Sequence, residues 1–267
     1  MNFVKEYLKN EVRIYVSDVQ EISQKIIDLN NSQPLPSLAI STAIAAFAPF
    51  SLINKHGYTI AKLKSDGPIK FVNVEVDKNG NLRASYGNDE IYTDYDNKDI
   101  NQIPIRLAFG NEGELEIKNI DDGKEVSRGI VPMTQGDVVG DLAYYFFQSE
   151  QINTAIITDV NMDNNGKVNR SRSVIFQMLP DHSEEDIKWV EQFIKNNKLS
   201  SQTIEQYIVK INGKFLQEKK IEWYCTCNEE KLLSVVKLLS TKDKKDIIKK
   251  NGYIEVKCSY CKKSYKE

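Results

Sequence analysis

The four cysteines of this 267-residue chain stand in two close pairs near its C-terminal end. One is Cys225-Thr226-Cys227, the other Cys258-Ser259-Tyr260-Cys261, with 30 residues between them. Two such pairs can offer four soft ligands to one tetrahedral ion, a set that suits zinc at Zn–S distances of about 2.3 Å. Ordinary buried cysteines or two static disulfides are the alternatives. The paired spacing, in a chain whose start MNFVKEYLKNEV lacks a secretory pattern, argues against both. Thiols held as thiolates are the nucleophilic and oxidisable form of cysteine, although a bound metal masks them. A bridge between Cys225 and Cys227 would span Cα atoms about 6.6 Å apart in extended chain, near the upper limit for a disulfide. The backbone would have to bend, and strained bridges are the labile ones.

Other groups that could do chemistry carry weaker signals. Asn161, Asp163, Asn165 and Gly166 fit positions 1, 3, 5 and 6 of a calcium loop, but position 12 is Arg172 and not a bidentate Glu, so a hairpin turn is expected. The two histidines, His56 and His182, have no adjacent nucleophile signature. Asp121-Asp122 reads as a turn and Glu184-Glu185-Asp186 as a helix start, not as acid/base pairs. The chain is therefore not expected to be an enzyme.

Composition narrows the setting of the cysteines. With 40% hydrophobic and 28% charged residues the chain is that of an ordinary globular protein. The apolar stretch from Leu38 to Ile53 falls short of the roughly 20 residues that span a bilayer and contains Ser41, Thr42 and Pro49. No membrane association is expected, and the reducing cytoplasm is the expected compartment. Net charge is −2, but residues 225–267 hold 11 Lys against 6 Asp and Glu, a formal +5, leaving −7 for residues 1–224. A basic terminal segment fits either a nucleic-acid partner or lysines placed around a cluster of thiolates.

The elements that must position the cysteines can be read from periodicity. Val12–Val16 reads as a first strand, followed by a helix carrying Ile22, Ile26, Ile27 and Leu29. Pro34 and Pro36 are read as breaks ahead of a buried, Ala-rich helix from Leu38 to Phe50, ending near Pro49. Strands are expected from Tyr58, with a hairpin at Asn79-Gly80 and a second at Asn111-Glu112-Gly113 that joins IRLAFG to ELEIKNI. Val126–Val131 follows as a strand. A helix capped by Asp137 covers Gly136–Gln151, and strands Thr154–Val160 and Val168–Leu179 close an antiparallel-rich domain. After Pro180, Ser183 with Asp186 and Thr203 with Gln206 form capping boxes. They open two amphipathic helices, one carrying Ile187, Val190 and Ile194 and the other Ile204, Ile208 and Ile211, with Gly213 ending the second. Such helices need a surface to lie on, so they read as a docked linker. The expected organisation is an α+β domain over 1–180, a helical linker over 181–224 and a small metal-binding domain over 225–267. The last is close to the size below which a fold usually requires a metal or disulfide.

The chain resembles the redox-regulated molecular chaperones of the heat shock protein 33 family. The resemblance rests on YCTCNEEKLLSVVKLL with IEVKCSYCKKSY, on GDVVGDLAYYFFQSEQI (136–152), and on SDGPIK (65–70) followed by a hairpin. Departures occur at Ser65-Asp66-Gly67-Pro68, at Arg83-Ala84-Ser85-Tyr86, and at Ser173-Val174, where the family has paired glycines. The resemblance implies an α+β amino-terminal domain with packed helices, a helical linker and a carboxy-terminal zinc domain. Cys225, Cys227, Cys258 and Cys261 would hold one zinc per chain when reduced and switch the protein on when oxidised. Under that switch, Cys225 is expected to pair with Cys227 and Cys258 with Cys261, the connectivity that needs no closure of the 30-residue gap. The activity implied is that of an ATP-independent holdase for unfolding client proteins under oxidative stress, with a homodimer allowed in the oxidised state. No G-x-x-x-x-G-K-[ST] loop is present. The competing reading is a zinc-ribbon nucleic-acid- or ribosome-associated protein. Against it, a tetrathiolate zinc lowers the terminal charge to roughly +3 and few aromatics are interleaved with the lysines.

Overall fold

A computed structural model describes residues 1–54, 57–92 and 99–266 and divides the chain into two compact units, Met1–Trp223 and Tyr224–Glu267. His56 lies outside the described residues. The first unit opens with two strands, β1 (Phe3–Lys9) and β2 (Val12–Asp18), paired in an antiparallel hairpin turned at Asn10, whose φ is 49°. Helices α1 (Gln20–Asn30), α2 (Pro34–Phe47) and α3 (Phe50–Ile53) follow. Pro34 and Pro36 do not break α2 but start it. A proline in the first turn gives up an N–H that has no intrahelical partner in any case.

Every side chain of α2 from Leu35 to Phe47 is buried, as expected of a helix apolar all round. With α3 it forms a run, Pro34–Ile53, of 20 residues, long and apolar enough to cross a membrane, yet its most apolar stretch is 94% buried inside the fold. The Ser17, Ser171 and Ser173 hydroxyls tie α2 to the sheet beside it. Residue 49 is proline, so the Ala45 carbonyl has no i+4 amide to accept from. The Ser17 and Ser173 hydroxyls donate to it instead, at 3.1 and 2.7 Å. Ser171 Oγ donates to the Ser41 carbonyl at 3.2 Å and shares a hydrogen bond with Ser23 Oγ at 2.8 Å.

Strands β3 (Tyr58–Ser65), β4 (Phe71–Asp77) and β5 (Asn81–Tyr86) form a meander turned at Gly80, where φ is 88°. The IRLAFG segment is not a strand. Arg106–Phe109 forms a helical turn, α4, and the Asn111 and Glu112 amides donate to Asp66 Oδ1 at 3.0 Å each, folding the segment onto the 65–70 turn. Gly67 is needed there, because a Cβ on it would lie 2.3 Å from the Phe109 carbonyl carbon. The hairpin expected at Asn111-Glu112-Gly113 is replaced by one at Asp122-Gly123. It joins β6 (Gly113–Asp121) to β7 (Lys124–Pro132). Asp137 caps α5 (Val138–Tyr145) by accepting from the Gly140 amide at 2.7 Å. A π-helical turn, Phe146–Glu150, leads to the hairpin of β8 (Thr154–Met162) and β9 (Val168–Met178). Asp163 Oδ1 accepts from the Asn165 and Lys167 amides, so the loop that resembled a calcium site is a hairpin turn.

Both capping boxes form. Ser183 starts α6 (Glu184–Asn196) and Thr203 starts α7 (Ile204–Ile211). The chain then adds two strands that the sequence did not announce. The charged β10 (Lys214–Lys220) pairs antiparallel with β1, and the short β11 (Glu222–Trp223) pairs parallel with β5. The sheets run β10-β1-β2-β9-β8 and β11-β5-β4-β3-β6-β7. Between them lies the main core, centred on α2. A second core covers the opposite face of the first sheet. There Tyr7, Val12, Ile14, Val16, Val174 and Phe176 meet Val190, Phe193, Ile204, Tyr207 and Ile211 of α6 and α7.

Candidate metal centre

The second unit comprises α8 (Glu229–Val236), α9 (Thr241–Asn251) and a small hairpin, β12 (Glu255–Lys257) with β13 (Ser264–Lys266). Its apolar content is slight. Among the described residues it buries the side chains of Val236 and Ile254, and otherwise those of Cys258 and Cys261. No residue of α9 is buried.

All four cysteines come together here. Cys225 and Cys227 lie on the extended segment before α8, whose N-cap Asn228 accepts from the Lys231 amide at 2.8 Å. Cys258 and Cys261 sit in the turn between β12 and β13. The Cys258 amide donates to the Lys263 carbonyl at 2.9 Å and the Lys262 amide to the Cys258 carbonyl at 3.0 Å, with Lys262 at φ 61°. The four Sγ atoms lie within 4.8 Å of one another. The contacts run across the pairs, Cys225 Sγ to Cys258 Sγ at 3.7 Å and Cys227 Sγ to Cys261 Sγ at 3.2 Å. Tetrahedral Zn–S bonds of about 2.3 Å would set each S···S edge at about 3.8 Å. The donor set and its spacing therefore fit one tetrahedral thiophilic ion.

The thiols are not equivalent. Burial pushes Cys258 up, but the amides of Cys261 and Tyr260 and the neighbouring thiols of Cys261 and Cys225 outweigh it and hold this thiol below its ordinary value. Burial and the surrounding thiols push Cys227 far above its ordinary value. Cys225 is also raised, chiefly by burial, although Cys227 donates toward it. A thiol whose ionisation is favoured by two backbone N–H groups, beside thiols whose ionisation is disfavoured by burial and by one another, suits a site in which a bound cation supplies the counter-charge. The backbone donors at Tyr260 and Cys261 were not singled out from the sequence; the C-x-x-C turn itself is the signal that could have found them.

The remaining sequence candidates stay outside this cluster. His182 Nδ1 lies 2.7 Å from the Leu179 carbonyl and serves a turn. Glu184 and Glu185 fill the first turn of α6, while the Asp186 side chain completes its capping box. The sequence motifs singled out in α6 and α7 were aliphatic, and the aromatic residues of these helices were missed. Phe193 lies between Phe176 and Tyr207, at ring separations of 6.0 and 5.3 Å, and Trp189 stands 5.3 Å from Phe193. Their i, i+4 spacing in α6 was available as a signal.

Comparison with known proteins adds an independent line. Residues 4–266 match the family described as Hsp33 protein. The chain is 30% identical over 267 residues to a 33 kDa chaperonin of Acholeplasma laidlawii, covering 96% of this chain and 91% of the relative. It is also 30% identical to the 33 kDa chaperonin of Thermosipho melanesiensis, over 96% of this chain and 91% of the relative. The one from Aquifex aeolicus is 26% identical, over 97% and 83%. The crystal structure of the 33 kDa chaperonin from Thermotoga maritima, a heat shock protein 33 homolog, is 22% identical. It superposes with a TM-score of 0.86 over 100% of this chain and 93% of that one, and so shares the fold.

Proposed function

This chain belongs to the Hsp33 family, and on that premise we propose that it is a chaperone of the cytoplasm, an ATP-independent holdase for unfolding client proteins that is silent when reduced and active when oxidised. Cys225, Cys227, Cys258 and Cys261 hold one zinc ion in the reduced state. When bound, zinc supplies the folding energy of residues 224–267.

The observation that carries this reading is the pairing of a tetrathiol cluster with a unit that buries almost nothing else. Oxidation removes the ligands. Each disulfide formed passes two electrons to one peroxide, whose O–O bond breaks to give two hydroxides. Bridges between Cys225 and Cys227 and between Cys258 and Cys261 close very short loops, so they cannot replace the metal in holding the segment. The sulfurs closest in the folded cluster lie across the pairs, and bridges there would staple the unit shut. Neighbour pairing is therefore the choice that turns oxidation into unfolding.

The linker supplies the second half of the switch. Its helices α6 and α7 cover an apolar sheet face that includes Val12, Ile14, Val174 and Phe176, and one residue, Tyr224, separates β11 from Cys225. Uncovering that face offers apolar surface to a client.

The test is a peroxide titration read three ways: zinc released, free thiols remaining, and light scattering from a thermally unfolding client. Suppression of scattering should rise in step with metal release and with loss of four thiols. Full suppression by the reduced protein, or suppression with the metal retained, would refute the proposal. Peptide mapping of the oxidised chain reads the pairing.

A further inference from the structure

The sheet face beneath α6 and α7 is apolar over most of its area, with charge at two places: Lys9, whose Nζ donates to the Ile211 carbonyl at 2.8 Å and lies 4.7 Å from the Trp189 ring centre, and the corner at Arg172. Along β9 the residues Val174, Phe176 and Met178 belong to the core shared with α6 and α7. The next position on that face is Arg172, opposite Asp18 of β2 and Asp159 of β8 in register. Arg172 is only 5% exposed. Its Nη2 pairs with Asp159 Oδ2 at 2.9 Å, a carboxylate that also accepts from Arg170 Nε at 2.7 Å. Its Nη1 donates at 3.2 Å to the carbonyl of Gln202, the residue immediately before the N-cap of α7. The Nε is buried with no hydrogen-bond partner among the described residues.

One guanidinium thus bridges the sheet to the turn that launches the second linker helix. The bond to Gln202 is charge-assisted and shielded from water, which makes it strong once formed. Holding a guanidinium in a buried place with one donor unmet is costly, and that cost is relieved when the corner is wetted. Such a contact orients the linker without making its docking irreversible, as apolar packing alone could. We infer that Arg172 is a positioning residue that latches the start of α7 to the sheet, so that breaking its link to Gln202 frees the linker while the thiol cluster stays intact. The inference rests on the reading of the linker as a removable cover.

The test uses the reduced full-length protein carrying Arg172→Lys. A single ammonium keeps a charge for Asp159 but lacks the separate Nη1 and Nη2 that reach both partners. Amide exchange over residues 199–211 should quicken about tenfold, as expected from loss of one charge-assisted hydrogen bond. Exchange in β8 and β9, and the metal content, should not change. Asp159→Asn, which removes the carboxylate that aims the guanidinium, should act in the same direction. Unchanged exchange over 199–211 in Arg172→Lys, or a rise shared equally by β8 and β9, would overturn the latch. If the linker loosens but the reduced variant still fails to hold clients, the latch stands and the covering role fails.

Discussion

Removing the metal from the reduced protein should unfold residues 224–267 and leave the first unit standing. Two fully buried aliphatic side chains, Val236 and Ile254, contribute roughly 3–6 kcal/mol between them. Metal binding in small zinc-folded peptides is worth about 10–16 kcal/mol. Helices of 8 and 11 residues lie below the length of about 12–15 at which isolated helices become even marginal, so α8 and α9 cannot persist on propensity alone. Their caps, Asn228 and Ser240, add only about 1 kcal/mol each. The perturbation is a high-affinity chelator with a reductant present, so that no disulfide forms. The assay is amide exchange with parallel trypsin digestion, for which the lysines of α9 supply cleavage sites. Exchange protection over 229–251 should vanish on metal loss, while β2, β9 and α2 retain theirs. If protection over 229–251 survives quantitative metal removal, the unit folds on its own contacts and the switch proposed above has no basis.

Other outcomes follow from the linker, the serines of the main core and two carboxylates. Tyr207 is fully buried and its hydroxyl has no partner among the described residues. Tyr207→Phe should therefore dock the linker more firmly and raise the peroxide needed for client holding, whereas Tyr207→Ala, costing about 3–5 kcal/mol, should give holding without oxidant. Replacing both Ser17 and Ser173 with Ala strands the Ala45 carbonyl in the core. That should cost about 1–3 kcal/mol, seen as a fall in Tm of about 2–4 °C per kcal/mol, and Ser17→Ala alone should cost less because Ser173 remains. An NMR titration should place the Asp141 carboxyl above and the Asp186 carboxyl below the ordinary range. Burial raises the first; the second is lowered by the amide and hydroxyl of Ser183. The signs are opposite: Asp141 adds stability as pH falls through its raised pKa, while Asp186 contributes above its unfolded value and loses that contribution as pH falls through its lowered one.

Local chemistry sufficed for much of this protein. The two cysteine pairs, the capping boxes at Ser183 and Thr203, the Asp137 cap and the turns at Gly80 and Gly166 each depend on a few neighbouring residues, so they could be read directly from the chain. The cysteine cluster was legible for the same reason: a C-x-C and a C-x-x-C each hold their thiols close whatever the rest does. What failed was wherever tertiary context overrode a local pattern. Pro34 and Pro36 read as breaks because a proline signals only that an amide is missing, and whether that amide was needed depends on where the helix begins. IRLAFG has the residues of a strand, but Asp66 captures the amides that follow it and turns the segment into α4. Strands β1 and β10 are rich in lysine, and β10 is strand only because β1 offers an open edge. Ser17 and Ser173 look like surface residues until Pro49 orphans the Ala45 carbonyl, which lies more than 100 residues from Ser173 in sequence. The charged corner at Arg172 exists only once three strands and the linker turn meet. Spacing along the chain decided which residues could do chemistry, and three-dimensional packing decided which apolar sheet face α6 and α7 cover, because burial depends on contacts between segments far apart in sequence.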